Sequence, residues 1–202
     1  MKACLLTQSW RTLRVMGLPL KKPAVYEDLL AVPDHLVGEI VDGELHTSPR
    51  PSSSHARATT NLTGELIGPF GFGRGGGPGG WIILVEPELH LLGQIMVPDM
   101  AGWRRERMPI MPESPFFELA PDWICEVISP STGALDRSKK MPHYGRSGVR
   151  HLWLVDPTIK TLEMFRSDEE GWRLLAPHSG DAKVRAEPFE AIEIELALLW
   201  SR

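Results

Sequence analysis

The residues best placed to do chemistry are carboxylates set in apolar runs. Asp99 ends the stretch QIMVPD, and Glu126 lies in the middle of DWICEVIS. A carboxylate buried without a partner is strongly penalised, so an acid in such a setting calls for a cation or for hydrogen-bond donors. Two of them on adjacent strands can share Mg²⁺ (or Mn²⁺), a hard cation that takes oxygen ligands and keeps several waters. Such an ion polarises a phosphodiester and makes a bound water a better nucleophile. A nearby lysine then stabilises the charge that develops at phosphorus. Strand alternation puts residue 128 on the same face as Glu126, but that residue is Ile128 and not a lysine. The segment after the next loop offers a substitute. Asp136, Lys140 and Tyr144 are spaced i, i+4, i+8 and share one helical face, whereas Lys139 points about 100° away. On spacing alone the same residues also describe a solvated helix face with an ordinary ion pair.

Other chemistries find less support. There is no G-x-S-x-G nucleophile elbow, no H-E-x-x-H and no paired cysteines, and the seven histidines are scattered. GPFGFGRGGGPGG contains a formal G-x-G-x-x-G at Gly71, Gly73 and Gly76. It follows a helical segment and precedes a strand, the reverse of a dinucleotide fingerprint, and no G-K-[ST] follows. It reads as a flexible connector.

These residues need elements to hold them. Residues 24–31 suggest a short helix, and Asp42-Gly43 between two alternating runs signals a tight hairpin. Ser54 is placed to cap a helix over 55–67. Strands are expected in 81–87, 88–92, 94–103 and 122–129, then a helix over about 136–147, then strands in 151–156, 161–166 and 171–176. The tail 189–200 suits a strand or a short helix. Pro142 falls inside the second long helix, which must either start later than Asp136 or bend near Lys140. The order implies an α/β fold of α+β type, a mixed central sheet flanked by helices.

With 202 residues, 42% of them hydrophobic, the chain can build one good core. Residues 1–23 read as an N-terminal extension and 24–202 as a single domain. A net charge of −4 argues against a protein that grips nucleic acid mainly by counterion release. It leaves room for an enzyme whose metal ion offsets the charge. Cys4 and Cys125 do not make a disulfide framework, which fits a reducing cytoplasm. No run approaches the ~20 apolar residues that span a bilayer.

An ordered string of motifs adds to this reading. V-P-D at 97–99, P-D-W-I-C-E-V-I-S-P-S-T at 121–132, D-x-x-x-K-x-x-x-Y-x-x-x-G-V from Asp136 to Val149 and H-L-W-L-V-D-P at 151–157 resemble the Uma2 family of restriction-endonuclease-like proteins. G-E-I-V-D-G-E-L at 38–45 and the S-P-x-P-S-S-x-H run ending at His55 match its N-terminal pattern. The resemblance implies a PD-(D/E)XK nuclease core. It places the metal-binding acids on Asp99 and Glu126, moves the usual lysine to Lys140, and adds Glu39 as an acid that completes the site. For Glu39 the other reading is a surface acid of the hairpin. His55 either meets substrate phosphate or caps its helix. Arg137 and Lys139 are candidate substrate contacts, and with Arg104, Arg105, Arg107, Arg146 and Arg150 they form either a phosphate track or plain solvated surface. The implied activity is Mg²⁺-dependent hydrolysis of phosphodiesters in DNA, with a homodimer as one way to cut both strands. Two alternatives stay open: a catalytically weak nucleic-acid-binding or regulatory protein on a nuclease scaffold, and a phosphoesterase acting on RNA or a small molecule.

Overall fold

The computed structural model describes residues 22–201; the expected N-terminal extension, up to residue 21, lies outside them. In chain order the first elements are α1 (Tyr26–Leu30), β1 (Leu36–Val41), β2 (Glu44–Pro49) and α2 (Ser53–Leu66). Strands β3 (Trp81–Val85), β4 (Glu88–Leu91), β5 (Gln94–Met96), β6 (Met100–Arg104), β7 (Phe116–Phe117) and β8 (Trp123–Val127) follow. A helix in three parts comes next: α3 (Gly133–Leu135), one π-turn (Asp136–Lys140) and α4 (Met141–Arg146). The chain closes with β9 (His151–Asp156), β10 (Thr161–Asp168), β11 (Gly171–Ser179), β12 (Lys183–Val184), β13 (Ile194–Glu195) and α5 (Ala197–Trp200). The tail thus forms both a short strand and a short helix.

The expected single sheet is two larger sheets, in the orders β2-β1-β5-β4-β7 and β11-β10-β9-β8-β6-β3, with β12-β13 as a small ribbon. The hairpin forms at Asp42-Gly43, where both residues take positive φ (55° and 72°) and so match the twist of the flanking strands. The long run 94–103 does not stay one strand. Pro98 has no N–H to give a ladder, and at Val97-Pro98-Asp99 the chain leaves the first sheet for the second. The crossing from β3 to β4 uses Glu86-Pro87 in the same way. Asp99 therefore sits where the two sheets meet.

Alternation along β8 divides its side chains between two cores. Trp123, Cys125 and Val127 pack with Leu62 and Leu66 of α2, Trp153 of β9 and Phe189. Ile124 and Ile128 pack with Val41, Trp103 and Tyr144 on the side of the first sheet and the three-part helix. Glu126 shares that second face by period, so strand register alone aims it at the helix.

That helix begins three residues before Asp136, and Pro142 does not end it. Met141 N–H bonds to the carbonyl of Asp136, five residues back, which makes one wide turn before the proline enters near the start of α4. The cap of α2 is Ser52, whose hydroxyl accepts from His55 N–H at 3.4 Å, rather than Ser54. The glycine-rich segment folds back on Pro69: a side chain at Gly77 would run into Pro69, and Gly79 N–H donates to the Pro69 carbonyl at 2.9 Å.

Gly102, on β6, lies between two buried indoles; an added Cβ would stand 3.2 Å from both Trp81 and Trp123. Neither ring has room to yield, so Gly102→Ala is expected to destabilise by about 1–3 kcal/mol. Urea unfolding should show a lower midpoint with an unchanged slope.

Candidate active site

Five separate stretches of chain deliver side chains to one cavity of about 300 Å³. Glu39 comes from β1, Asp99 from the crossing between sheets, Glu126 from β8, and Asp136 and Lys140 from the π-turn; His55 enters from the first turn of α2. Glu39, Asp99, Glu126, Lys140 and His55, which the sequence singles out, all line it.

The centre is the Lys140 ammonium, only 3% exposed. Its Nζ lies 2.9 Å from Glu39 Oε1, 2.9 Å from Glu126 Oε1 and 3.3 Å from Asp136 Oδ1. The two glutamate oxygens are therefore within twice that shorter distance of each other. Tyr144 donates its hydroxyl proton to the same Glu126 oxygen at 2.6 Å, and Val97 N–H donates to Glu39 Oε1 at 2.8 Å. The i, i+4, i+8 face of Asp136, Lys140 and Tyr144 is thus turned inward. Asp99 is anchored through Oδ2, which accepts from Val127 N–H at 2.7 Å, and through Oδ1, 3.2 Å from His55 Nε2.

Electrostatics follow from burial and crowding. Burial pushes the Glu126 carboxyl well up; Lys140 opposes this, while Asp136, Asp99 and Glu39 reinforce it. Asp136 is raised by burial too, again against the pull of Lys140. Burial alone would lower Lys140, but the charges of Glu126 and Glu39 outweigh it and hold the ammonium well above its ordinary value. For His55 burial also pulls down, and the hydrogen bond to Asp99 and its charge more than offset that. Lys140 stays charged in the midst of more acid than it can neutralise.

Among the described residues no three His, Cys, Asp or Glu side chains form a ready-made metal cage. Glu39 and Glu126 each meet Lys140 through Oε1, the oxygen that also accepts from Val97 N–H in Glu39 and from the Tyr144 hydroxyl in Glu126. These two carboxylates and Asp99 are the acids placed to receive a cation.

Two expected substrate contacts lie elsewhere. Arg137 pairs with Glu163, and Lys139 with Glu44 at 3.1 Å; neither lines the cavity. Glu88 holds Tyr26 and His90 outside the cavity, whereas its neighbour Glu86 reaches the wall. Sequence reasoning missed Arg50, which lines the cavity between Pro49 and Pro51. Its only signal was a lone cation in a Pro/Ser loop that opens a helix.

Removing the cation leaves three buried acids unopposed. Lys140→Met is expected to cost about 3–5 kcal/mol at neutral pH. The loss should shrink as pH falls toward 4.5, the ordinary glutamate value, because acids raised in the folded state favour folding when protonated; urea unfolding at several pH values checks this. The His55–Asp99 pair behaves as a raised histidine: its stabilisation is complete below pH 6.5 and fades as pH rises through the higher folded value. His55→Gln should remove that part of the stability–pH curve and leave the rest.

No curated protein matches the chain. A nuclease of DUF820 from Anabaena variabilis, described as putative, has a similar fold: TM-score 0.72 at 20% identity, over 89% of this chain and 98% of that one. No helix among the described residues is long and apolar enough to cross a membrane. The profile of the Uma2 family, described as "Putative restriction endonuclease", matches residues 26–198, and the chain belongs to that family.

Proposed function

We propose that the chain is a metal-dependent nuclease that hydrolyses phosphodiester bonds in DNA. The observation that carries this reading is the Lys140 ammonium held 2.9 Å from both Glu39 and Glu126 on the floor of a cavity that Asp99 also lines. The donor set suits Mg²⁺ or Mn²⁺. It is all oxygen, and it carries excess negative charge. Mg²⁺ needs only one or two carboxylates because it keeps several waters. Asp99 and Glu126 would hold the ion, with Glu39 assisting, and the bound ion would supply Lewis acidity and an activated water.

The chain's own residues do the rest. Val127 N–H and His55 fix the Asp99 carboxylate. Tyr144 fixes Glu126. Lys140, kept charged by its acids, presents a cation to the phosphoryl oxygens as charge builds on them. Asp136, i−4 from Lys140, holds that ammonium from the helix side.

A second reading, a binding or regulatory protein on a nuclease scaffold, draws on Lys140 already neutralising two of the acids and on the missing ready-made cage. Titration calorimetry with Mg²⁺ or Mn²⁺, with and without DNA, separates the two: heat of metal binding is expected for the nuclease and none for the binder.

On plasmid and single-stranded DNA, cleavage is expected only with a divalent metal, and Asp99→Ala or Glu126→Ala should each lower the rate by at least about 100-fold. Cleavage that survives both substitutions would place the chemistry elsewhere.

A further inference from the structure

The depth of the cavity bears on the substrate. Resting on the nuclease reading above, we infer that the site takes a single strand of DNA rather than an intact duplex, with Arg50 gripping a phosphate beside the scissile one.

The reacting groups lie at the bottom of a recess. Glu126 and Lys140 are each 3% exposed and Glu39 is 5% exposed, and the cavity of about 300 Å³ is at the small end of the range for sites that hold one small molecule. Its rim is made by the β2–α2 loop, with Pro49 and Pro51, and by the β8–α3 loop, with Pro130. A duplex is stiff, with a persistence length of about 50 nm, and it keeps each phosphate beside its own base pair. It resists pushing one linkage down to buried carboxylates. A single strand can, because its backbone extends freely.

Charge points the same way. Proteins that hold duplex DNA neutralise about 6–10 phosphates. Among the described residues, several basic side chains outside the cavity are paired with acids: Arg107 with Asp122, Arg137 with Glu163, Lys139 with Glu44, and Arg166 with Glu187. Arg104 lies over the Trp81 ring. Among the described residues, the lysine and arginine that line the cavity are the buried Lys140 and, at the rim, Arg50. Its Nη2 donates to the Asp34 carbonyl at 2.8 Å, which orients the guanidinium and leaves its other N–H groups for a phosphate.

Beside the rim lies a second recess of about 410 Å³ that shares Val37, Arg50, Glu86 and Val97 with the cavity. Leu29 and Val32 give it an apolar wall, and Asp34, Glu86 and Glu88 also line it. A flanking nucleotide fits this pair of recesses, with its phosphate on Arg50 and its base on the apolar wall. Glu86 repels a phosphate there and can accept from a base amino group.

Fluorescence anisotropy tests this with a short labelled oligonucleotide, single-stranded and as its duplex, with Ca²⁺ in place of Mg²⁺. The single strand is expected to bind about tenfold more tightly than the duplex. Arg50→Ala should weaken single-strand binding about tenfold without moving the urea midpoint. The plot of log affinity against log salt should have a slope near −0.7 for each of one or two phosphates. Duplex binding equal to or tighter than single-strand binding, or unchanged binding by Arg50→Ala, overturns the inference. Either result would leave the nuclease reading standing, since that reading is judged by metal-dependent cleavage.

Discussion

One buried ammonium organises this molecule. Lys140 lies where a helix, a strand of each large sheet and the crossing between the sheets converge, and three carboxylates face it. In a low-dielectric interior a lone charge of either sign would be intolerable. Four charges arranged around one nitrogen make each other tolerable, though the balance stays negative. A stable core would not need such an arrangement, since apolar residues of similar volume usually do as well. The arrangement suits a site that must bind a further cation and then act on a phosphate.

The fold serves that convergence. Pro98 breaks what would be one long strand and leaves Asp99 at the junction, where Val127 N–H and His55 fix it. Register on β8 sends Glu126 to the face opposite Trp123, Cys125 and Val127. A wide π-turn admits Pro142 without ending the helix, so Asp136, Lys140 and Tyr144 all face Glu126. The hairpin is tied to the same helix by Asp42 on His143 (2.7 Å) and Glu44 on Lys139, which steadies Glu39 on β1. The exposed Lys139 and Arg137 pair with Glu44 and Glu163 on the surface, whereas the buried Lys140 faces the cavity.

Much of this was legible in the sequence, for physical reasons. A carboxylate inside DWICEVIS had to be partnered, and Ile128 at the position two residues on meant that the cation had to come from elsewhere. The i, i+4, i+8 spacing made the next helix a candidate source, and the family resemblance pointed to Lys140 on it. Asp42-Gly43 marked the hairpin because few other dipeptides adopt its backbone. What could not be read were the consequences of single backbone exceptions. The division into two sheets depends on Pro87 and Pro98 as crossing points, and a proline in an apolar run looks the same whether a strand ends or merely reaches an edge. The π-turn depends on one hydrogen bond from Met141 to Asp136 that has no side-chain signature. Arg50 was hidden because loop residues carry no period, so only three-dimensional placement reveals that its loop is the rim. Arg137 and Lys139 looked like substrate contacts by proximity in sequence, yet their helix turns them outward to Glu163 and Glu44.

The central claim is that the cluster around Lys140 is half of a metal site and that Asp99 completes it. A crystal structure of the protein with Mn²⁺, located by its anomalous scattering, tests this most directly. The account predicts one ion in the cavity, ligated by both Asp99 and Glu126 at ~2.1 Å with waters filling the other positions, and Lys140 still within hydrogen-bond reach of Glu126. An empty cavity at saturating Mn²⁺, or an ion bound only at surface acids away from Asp99 and Glu126, would contradict it.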